Sequence, residues 1–583
     1  MHIPHKSRPS AAAFLLLAVW CVIPVRVVFA QPLTTRPAPT VYRHAAVAAD
    51  HAVASQAGLE ILKAGGNAVD AAVAASFCLS VVRPYSCGIG GGGFMLIWKP
   101  ARERAAPVMV AVNYRERAAA VVGRDYYVRL ADRTASRTGH RAVGVPGTVA
   151  GLLWAHEHYG SLERAVVMGP AIRAAEQGFR ADTNHVAAAR RLQERFERSG
   201  GAPQYAGPIW TDLCLDGRVA PGDFISNPDQ ARALKLIARD GADAFYRGEI
   251  AEAIVATMQA HGGPIRKGDL SGYAVSVVAP LKGSFRGLNV LTMPPPSSGG
   301  IAMLQILGVL DRRLEDLGEI GHNQPPYVHL LVEAMKHAFA DRAAWLADPA
   351  FVDVPTHKLL DAEYLDRVAA SISLSKTNGP LHYGSSESGS DDGGTSHISV
   401  IDASGMAVAC TETINLVYGS LVVVPGFGFA LNNQMDDFTT IPGEPNAFGL
   451  RQSNRNLPEP GKRPLSSMAP TIVLDNGRAI IIAGGSGGPR IITATLQSIL
   501  NCLLFKMTAR QAISAARFHH QWMPDVLQFE DRWQDASSVL VLKRLGHTTG
   551  RRDEVGVVQL IHIRSDGIDA ASDPRKGGAP AGY

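Results

Sequence analysis

The chain has 583 residues, 46% hydrophobic and 19% charged, which describes a folded protein with ample core and excludes a disordered or low-complexity chain. The formal charge of +5 falls to +2 once Lys6, Arg8 and Arg26 are set aside, so the charge balance gives no sign of a nucleic-acid partner. Beyond residue 30 stand Cys78, Cys87, Cys214, Cys410 and Cys502, an odd and sparse set that is no disulfide framework; one Cys78–Cys87 pair and two free thiols both fit it.

Residues 1–30 read as an export signal, with Lys6 and Arg8 ahead of the apolar run from Ala11 to Val25 and Val28-Phe29-Ala30 before Gln31. The protein is therefore expected in the periplasm or secreted, and no later stretch offers about twenty uninterrupted apolar residues for a stable membrane span. Helical periodicity follows over Ser55 to Gly66, over Asn67 to Val82 with Asn67 as N-cap, and over Pro326 to Leu346. A Ser/Gly/Asp-rich tract from Ser375 to Gly394 reads as a mobile linker. Beyond it strands take over. HISVIDASGMAVACTETI predicts a hairpin turning at Ala403-Ser404-Gly405, and TIVLDNGRAIIIAGG predicts another turning at Asn476-Gly477. A helix opens at Pro489. Helices dominate early and alternate with strands late, so a layered α/β protein is expected.

Two glycine-rich stretches mimic familiar motifs. Gly88 to Gly93 has dinucleotide-loop spacing, but FMLIW after it reads as a strand where pyrophosphate binding needs a helix N-terminus. Gly484 to Gly488 fits the G-x-S-x-G elbow of an α/β-hydrolase, with Asp525 and His547 in the required order, yet no HGGG-type loop accompanies it. A different use suits the same glycines. At a strand-to-helix turn, Gly487 and Gly488 can aim N–H groups at a developing oxyanion.

The stretch GSDDGGTSHISVID passes abruptly from the linker into an alternating strand at Thr395. A threonine at a chain terminus can use its own α-amine as base, and Thr395 could expose that amine by attacking the Gly394 carbonyl through a flexible Asp-Asp-Gly-Gly approach. Without that chemistry the pattern is a loop entering a buried strand.

TSHISVIDASGMAVACTETIN, LNNQMDDF, GKRPLSSMAPTIV, GGSGGPRIIT and RFHHQW together resemble the small subunit of the γ-glutamyltranspeptidase family. Upstream, GGNAVDAAVA, GIGGGGFML, NYRERA, GVPG and MPPPSSGG match the same family in order, as does the closing ASDPRKGGAPAGY. The resemblance implies a four-layer αββα sandwich of the N-terminal-nucleophile hydrolase type. It would be built jointly by a large chain, residues 31–394, and a small chain, residues 395–583, cut from one precursor as a heterodimer. It further implies that Thr395 is the nucleophile, that Thr413 hydrogen-bonds it, and that Gly487 and Gly488 form the oxyanion hole. Arg115 with Ser466 and Ser467 would grip the substrate α-carboxylate, and Asn415, Gln434 and Asp437 would surround its ammonium group. A zwitterionic γ-glutamyl head needs that pairing of cation and anion. The implied activity is cleavage of γ-glutamyl amides such as glutathione, with the acyl group passed to water, amino acids or dipeptides.

No cofactor and no metal is expected; His519 and His520 read as neighbours on a helix, which face different ways. Taken alone, Arg115 reads as a surface ion pair and Asp436-Asp437 as a solvated turn. Three positions depart from the family pattern: Ser396 for threonine, the flank around Cys87, and Phe448 for a lid tyrosine, which would cost a hydroxyl hydrogen bond. Two other readings remain open, a related glutaryl- or cephalosporin-type acylase and a non-catalytic exported relative.

Overall fold

The alternation in GGFMLIWK sets the architecture. Phe94, Leu96 and Trp98 enter one hydrophobic core and Met95 and Ile97 the other, so the strand Gly92–Lys99 separates two cores. The computed structural model describes residues 41–101, 105–198, 201–384 and 394–583. The export segment and Asp391-Asp392-Gly393 fall outside them.

Two seven-stranded sheets stack face to face. The first runs in the order Ala581–Gly582, Ala46–Ala49, Gly394–Ile401, Ala407–Asn415, Gly92–Lys99, Val108–Tyr114, Ser276–Val278. The second runs Val41–Tyr42, Gly567–Ser572, Val557–Arg564, Arg478–Ser486, Thr471–Asp475, Leu288–Thr292, Leu281–Phe285. The Ser399 hydroxyl spans the space between the sheets, 3.2 Å from both the Ile482 and Gln559 carbonyls. Helix Ala68–Val82 covers the outer face of the first sheet. It is buried along its whole length, which its alanine content permits, and Asn67 caps it in a reciprocal box with Asp70. Helices Gly299–Arg313 and Arg490–Leu503 cover the second sheet, with Pro325–Trp345 packed against the former. The result is the expected αββα sandwich.

Both predicted hairpins form, and Asn476 and Gly477 adopt positive φ of 46° and 74°, as a primed turn requires. Other expectations need correction. The half read as mainly helical also supplies the strands from Ala46 to Thr292, of which only the FMLIW segment reads as a strand from sequence. Part of the Ser375–Gly394 tract is fastened: the Thr377 hydroxyl donates to Glu333 Oε1 at 2.7 Å, the Thr377 N–H to the Leu545 carbonyl at 2.7 Å, and Tyr383 to Glu333. Glu333 and Lys336 are buried in helix Pro325–Trp345 and need such partners. The same helix brings His329 and Glu333 near His547 at distances that could share an ion, but the two imidazoles hydrogen-bond each other at 2.7 Å and Lys336 Nζ lies 3.3 Å from Glu333. His519 sits in a short strand, Phe518–His519, rather than a helix, because Phe518 pairs with Phe529. The five described cysteines are free and buried, and burial pushes the Cys78 thiol up to about 12.

The elbow reading fails on geometry. Ser486 is a ladder residue opposite Val557, Asp525 lies 3.2 Å from His520, and His547 pairs with His329, so no triad assembles around Ser486.

Candidate active site

Thr395 faces Thr413 across the central hairpin, and a register shift falls between Gly394 and Thr395, so the Gly394–Thr395 peptide leaves the regular ladder. The two hydroxyl oxygens are 3.1 Å apart, and Thr413 Oγ1 donates to the Gly394 carbonyl at 2.6 Å. A hydroxyl has one proton, so the Thr395 hydroxyl is the donor to Thr413, which also accepts the Asn415 N–H at 2.8 Å. The relay thus ends on the carbonyl next to Thr395. Gly394 admits no side chain, since a Cβ there would lie 2.5 Å from the Tyr85 carbonyl oxygen.

Beneath this peptide lies a buried ionic network. Lys576 Nζ donates to the Thr395 carbonyl at 2.5 Å and to Asp50 Oδ2 at 2.7 Å, and Arg83 donates to the Lys576 carbonyl at 2.9 Å. Arg575 pairs with Glu530 at 2.6 Å and Asp573 at 3.0 Å, and Arg517 with Asp573 at 2.8 Å.

Above it, Thr395 and Thr413 open into one small cavity with Arg115, Asn415, Gln434, Asp437, Phe448, Ser466, Ser467 and Gly488. Of the residues singled out from sequence, Gly394 and Gly487 line a separate cleft. The free volume of the first cavity, about 20 Å³, suits about one water molecule. Arg115 fills much of it: the guanidinium donates to the Pro464 and Leu465 carbonyls, each at 3.2 Å, and pairs directly with Asp437. Gln434 donates to the same Asp437 oxygen at 2.7 Å, while Asn446 donates to the other carboxylate oxygen at 3.4 Å. Arg115 is 1% exposed and the Asp437 side chain 13%, so neither is the surface group that composition alone suggests. Burial raises the Asp437 pKa, and Arg115 opposes the shift.

Gly487 and Gly488 hold φ of 124° and 59°, conformations that L side chains rarely adopt. Among the described residues no acceptor takes either N–H. The Phe448 ring covers this turn, and a Cβ on Gly488 would sit 2.7 Å from it. Asp436, beside Asp437, points the other way, accepting from Ser136 at 2.7 Å and from the Ala447 N–H at 2.8 Å, and so ties down the loop carrying Phe448.

Sequence reasoning missed several of these groups. Arg342 is buried in the cavity wall, its Nε donating to Ser298 Oγ at 3.0 Å. Lys576 lies in the closing motif, but its partner Asp50 lies at the other end of the chain. Glu412 and Glu116 are buried carboxyls, each pushed up to about 7 mainly by burial.

The family model for Gamma-glutamyltranspeptidase matches residues 54–583. The chain belongs to the gamma-glutamyltranspeptidase family. The resemblance read from the motifs is thereby borne out. A glutathione hydrolase proenzyme of Pseudomonas sp. (strain A14) is 39% identical over 83% of this chain and 82% of its own, and that of Escherichia coli (strain K12) is 38% identical over 91% and 90%. Among solved structures, a cephalosporin acylase from Bacillus halodurans superposes with a TM-score of 0.81 at 26% identity, covering 95% of this chain and 98% of that one. A gamma-glutamyltranspeptidase from Pseudomonas nitroreducens in complex with L-DON gives 0.52 at 34% identity, covering 57% and 95%. This gamma-glutamyltranspeptidase family member is an enzyme with the N-terminal-nucleophile hydrolase fold.

Proposed function

We propose that the protein is a self-processing γ-glutamyl hydrolase and transferase, made for export, whose precursor cuts itself between Gly394 and Thr395. The observation that carries this reading is the Thr395–Thr413–Gly394 relay at the mouth of the cavity holding Arg115 and Asp437. In the first stage the Thr395 oxygen attacks the Gly394 carbonyl carbon, forming an ester as the peptide C–N bond breaks. Thr413 polarises that carbonyl throughout. Water then hydrolyses the ester, leaving a Gly394 carboxylate and a free Thr395 α-amine. The large chain would end at Gly394 and the small chain would run from Thr395 to Tyr583.

In the second stage the α-amine takes the proton from the Thr395 hydroxyl, which attacks the γ-carbonyl of the donor. Gly487 and Gly488 donate to the oxyanion, and the amine returns the proton to the leaving nitrogen. Water or an amino group then resolves the γ-glutamyl ester. Binding requires an exchange of ions. The substrate α-carboxylate replaces Asp437 on Arg115, with Ser466 and Ser467 beside it, while its ammonium replaces Arg115 on Asp437, near Asn415 and Gln434. Glutathione is the donor best supported, by the names of the relatives. The likeness to a cephalosporin acylase favours a second reading, acylase action on glutaryl amides, but such substrates give Asp437 no counter-ion.

Mass spectrometry of the incubated protein, alongside release of a chromogenic amine from a γ-glutamyl anilide, tests the proposal. Two chains meeting at Gly394 and Thr395, anilide turnover, and loss of both in Thr395→Ala are expected. A full-length chain that turns over the anilide would overturn it.

A further inference from the structure

Beyond the γ-glutamyl cavity, a groove of about 990 Å³ opens beside the lid residues Pro445, Asn446 and Ala447. Helix Thr183–Arg198 forms one wall. Its buried side carries His185, Ala188, Ala189, Leu192 and Phe196, which turns Arg191, Arg195 and Arg198, spaced four and three apart, into the groove. Arg137, Arg551 and Arg552 join them, against the carboxylates of Glu194, Asp553 and Glu554. Some of this charge is already engaged. Arg137 lies 3.3 Å from Asp436, Arg195 donates to the Arg137 carbonyl at 3.2 Å, and Arg551 donates to the Glu530 and Trp533 carbonyls at 3.0 and 2.8 Å. Arg191 and Arg198 are exposed, and six guanidiniums against three facing carboxylates leave the groove cationic.

The groove leads to the reacting peptide. The cleft lined by Gly394 and Gly487 shares Arg191, Val417 and Glu554 with it. The γ-glutamyl cavity and this cleft take adjacent residues, Thr395 with Gly488 and Gly394 with Gly487, so the chain beyond the scissile amide of a donor seated at Thr395 has the cleft and groove next to it.

We infer that the arginine groove binds the carboxylates of the peptide beyond the scissile amide, both as leaving group of the donor and as incoming acceptor, so that the enzyme selects anionic peptides over neutral amines. This rests on the γ-glutamyl reading and adds to it a site for the second half of the substrate. The groove captures by charge rather than by shape, since its exposed guanidiniums are mobile and hydrated, and its effect is screened by salt.

The test uses the matured two-chain enzyme and three donors: a γ-glutamyl dipeptide with a free terminal carboxylate, the same dipeptide as its terminal amide, and a γ-glutamyl anilide. The wild type is expected to prefer the acid over the amide, with the preference fading as salt is raised. The double variant Arg191→Gln/Arg198→Gln, altered only at exposed positions, should lose roughly tenfold in kcat/KM for the acid and stay within about twofold for amide and anilide. Turnover of the anilide without discrimination between acid and amide, or equal losses on all three donors in the double variant, overturns the groove alone. A wild type inert toward the anilide overturns the γ-glutamyl reading and the groove with it.

Discussion

Replacing Asp437 by asparagine keeps the side-chain shape and removes the charge proposed to read the ammonium group. Truncating one partner of a buried charge pair costs about 2–5 kcal/mol, a factor of roughly 30 to several thousand in kcat/KM. The structure points to the lower end. In the wild type the ammonium must first displace Arg115 from Asp437, so the interaction gained on binding is partly offset by the one broken, and Asp437→Asn releases Arg115 in advance. A loss of about 2 kcal/mol, near thirtyfold, is expected for a γ-glutamyl amide. The des-amino glutaryl amide should respond in the opposite direction. Binding it to the wild type opens the same ion pair but leaves Asp437 with no counter-ion, a penalty the asparagine does not carry. Its kcat/KM should rise several-fold, so the ratio of the two rates falls by roughly a hundredfold. The assay is initial-rate turnover of both amides by fully cut protein, with cutting checked by mass. Equal losses on both substrates would refute the reasoning and reduce Asp437 to a residue that positions Arg115.

Thr413→Val removes the donor to the Gly394 carbonyl, and self-cutting followed on a denaturing gel should slow by roughly a hundredfold or more; an unchanged rate would remove Thr413 from the relay. Gly488→Ala places a Cβ 2.7 Å from the Phe448 ring at a φ of 59°, so kcat on the anilide should fall at least roughly a hundredfold, and wild-type turnover would contradict the oxyanion role. Lys576→Met leaves Asp50, 1% exposed, without its cation, and denaturant unfolding should show about 3–5 kcal/mol of lost stability; a change below about 1 kcal/mol would mean the network repacks. Glu116 and Glu412 have pKa values raised from 4.5 to about 7, so their contribution is complete below 4.5 and lost as pH rises through about 7, about 3 kcal/mol for each. A Glu116→Gln/Glu412→Gln variant should therefore gain on the wild type in melting temperature between pH 4.5 and 7.5, and parallel melting curves would show that these carboxyls are not held neutral.

The hairpin carrying Thr395 was readable because its alternation is clean and its turn residues are few, and the Gly487-Gly488 turn because two adjacent glycines between an apolar run and Pro489 mark where a strand gives way to a helix. The collapse of Arg115 onto Asp437 was not readable. The two residues are 322 positions apart, and nothing in either local pattern says that both are buried. The same limit hid Lys576 and Asp50, which meet because the last strand, Ala581–Gly582, pairs with Ala46–Ala49 at the edge of one sheet. Local pattern also misled at His519, where a tertiary pairing with the Leu527–Glu530 strand made a strand from a segment read as helix. Thr377 lies in a tract whose composition is that of a linker, yet buried charges on a distant helix hold it.

The strand order holds the two chains together after the proposed cut. In the first sheet the nucleophile hairpin lies between Ala46–Ala49 and Gly92–Lys99, and in the second Thr471–Asp475 pairs with Leu288–Thr292, so segments from the two sides of Gly394 alternate in both sheets. Separating the two chains would break a ladder at each junction and expose both cores, which are built from residues on either side of the cut. It would also split the buried Lys576–Asp50 pair, whose members belong to different chains after cutting. Cleavage can therefore free the Thr395 amine while every element that positions the site stays paired. The cut needs only to release Gly394 from the cleft that it lines with Gly487, and that cleft is the one that opens onto the arginine groove.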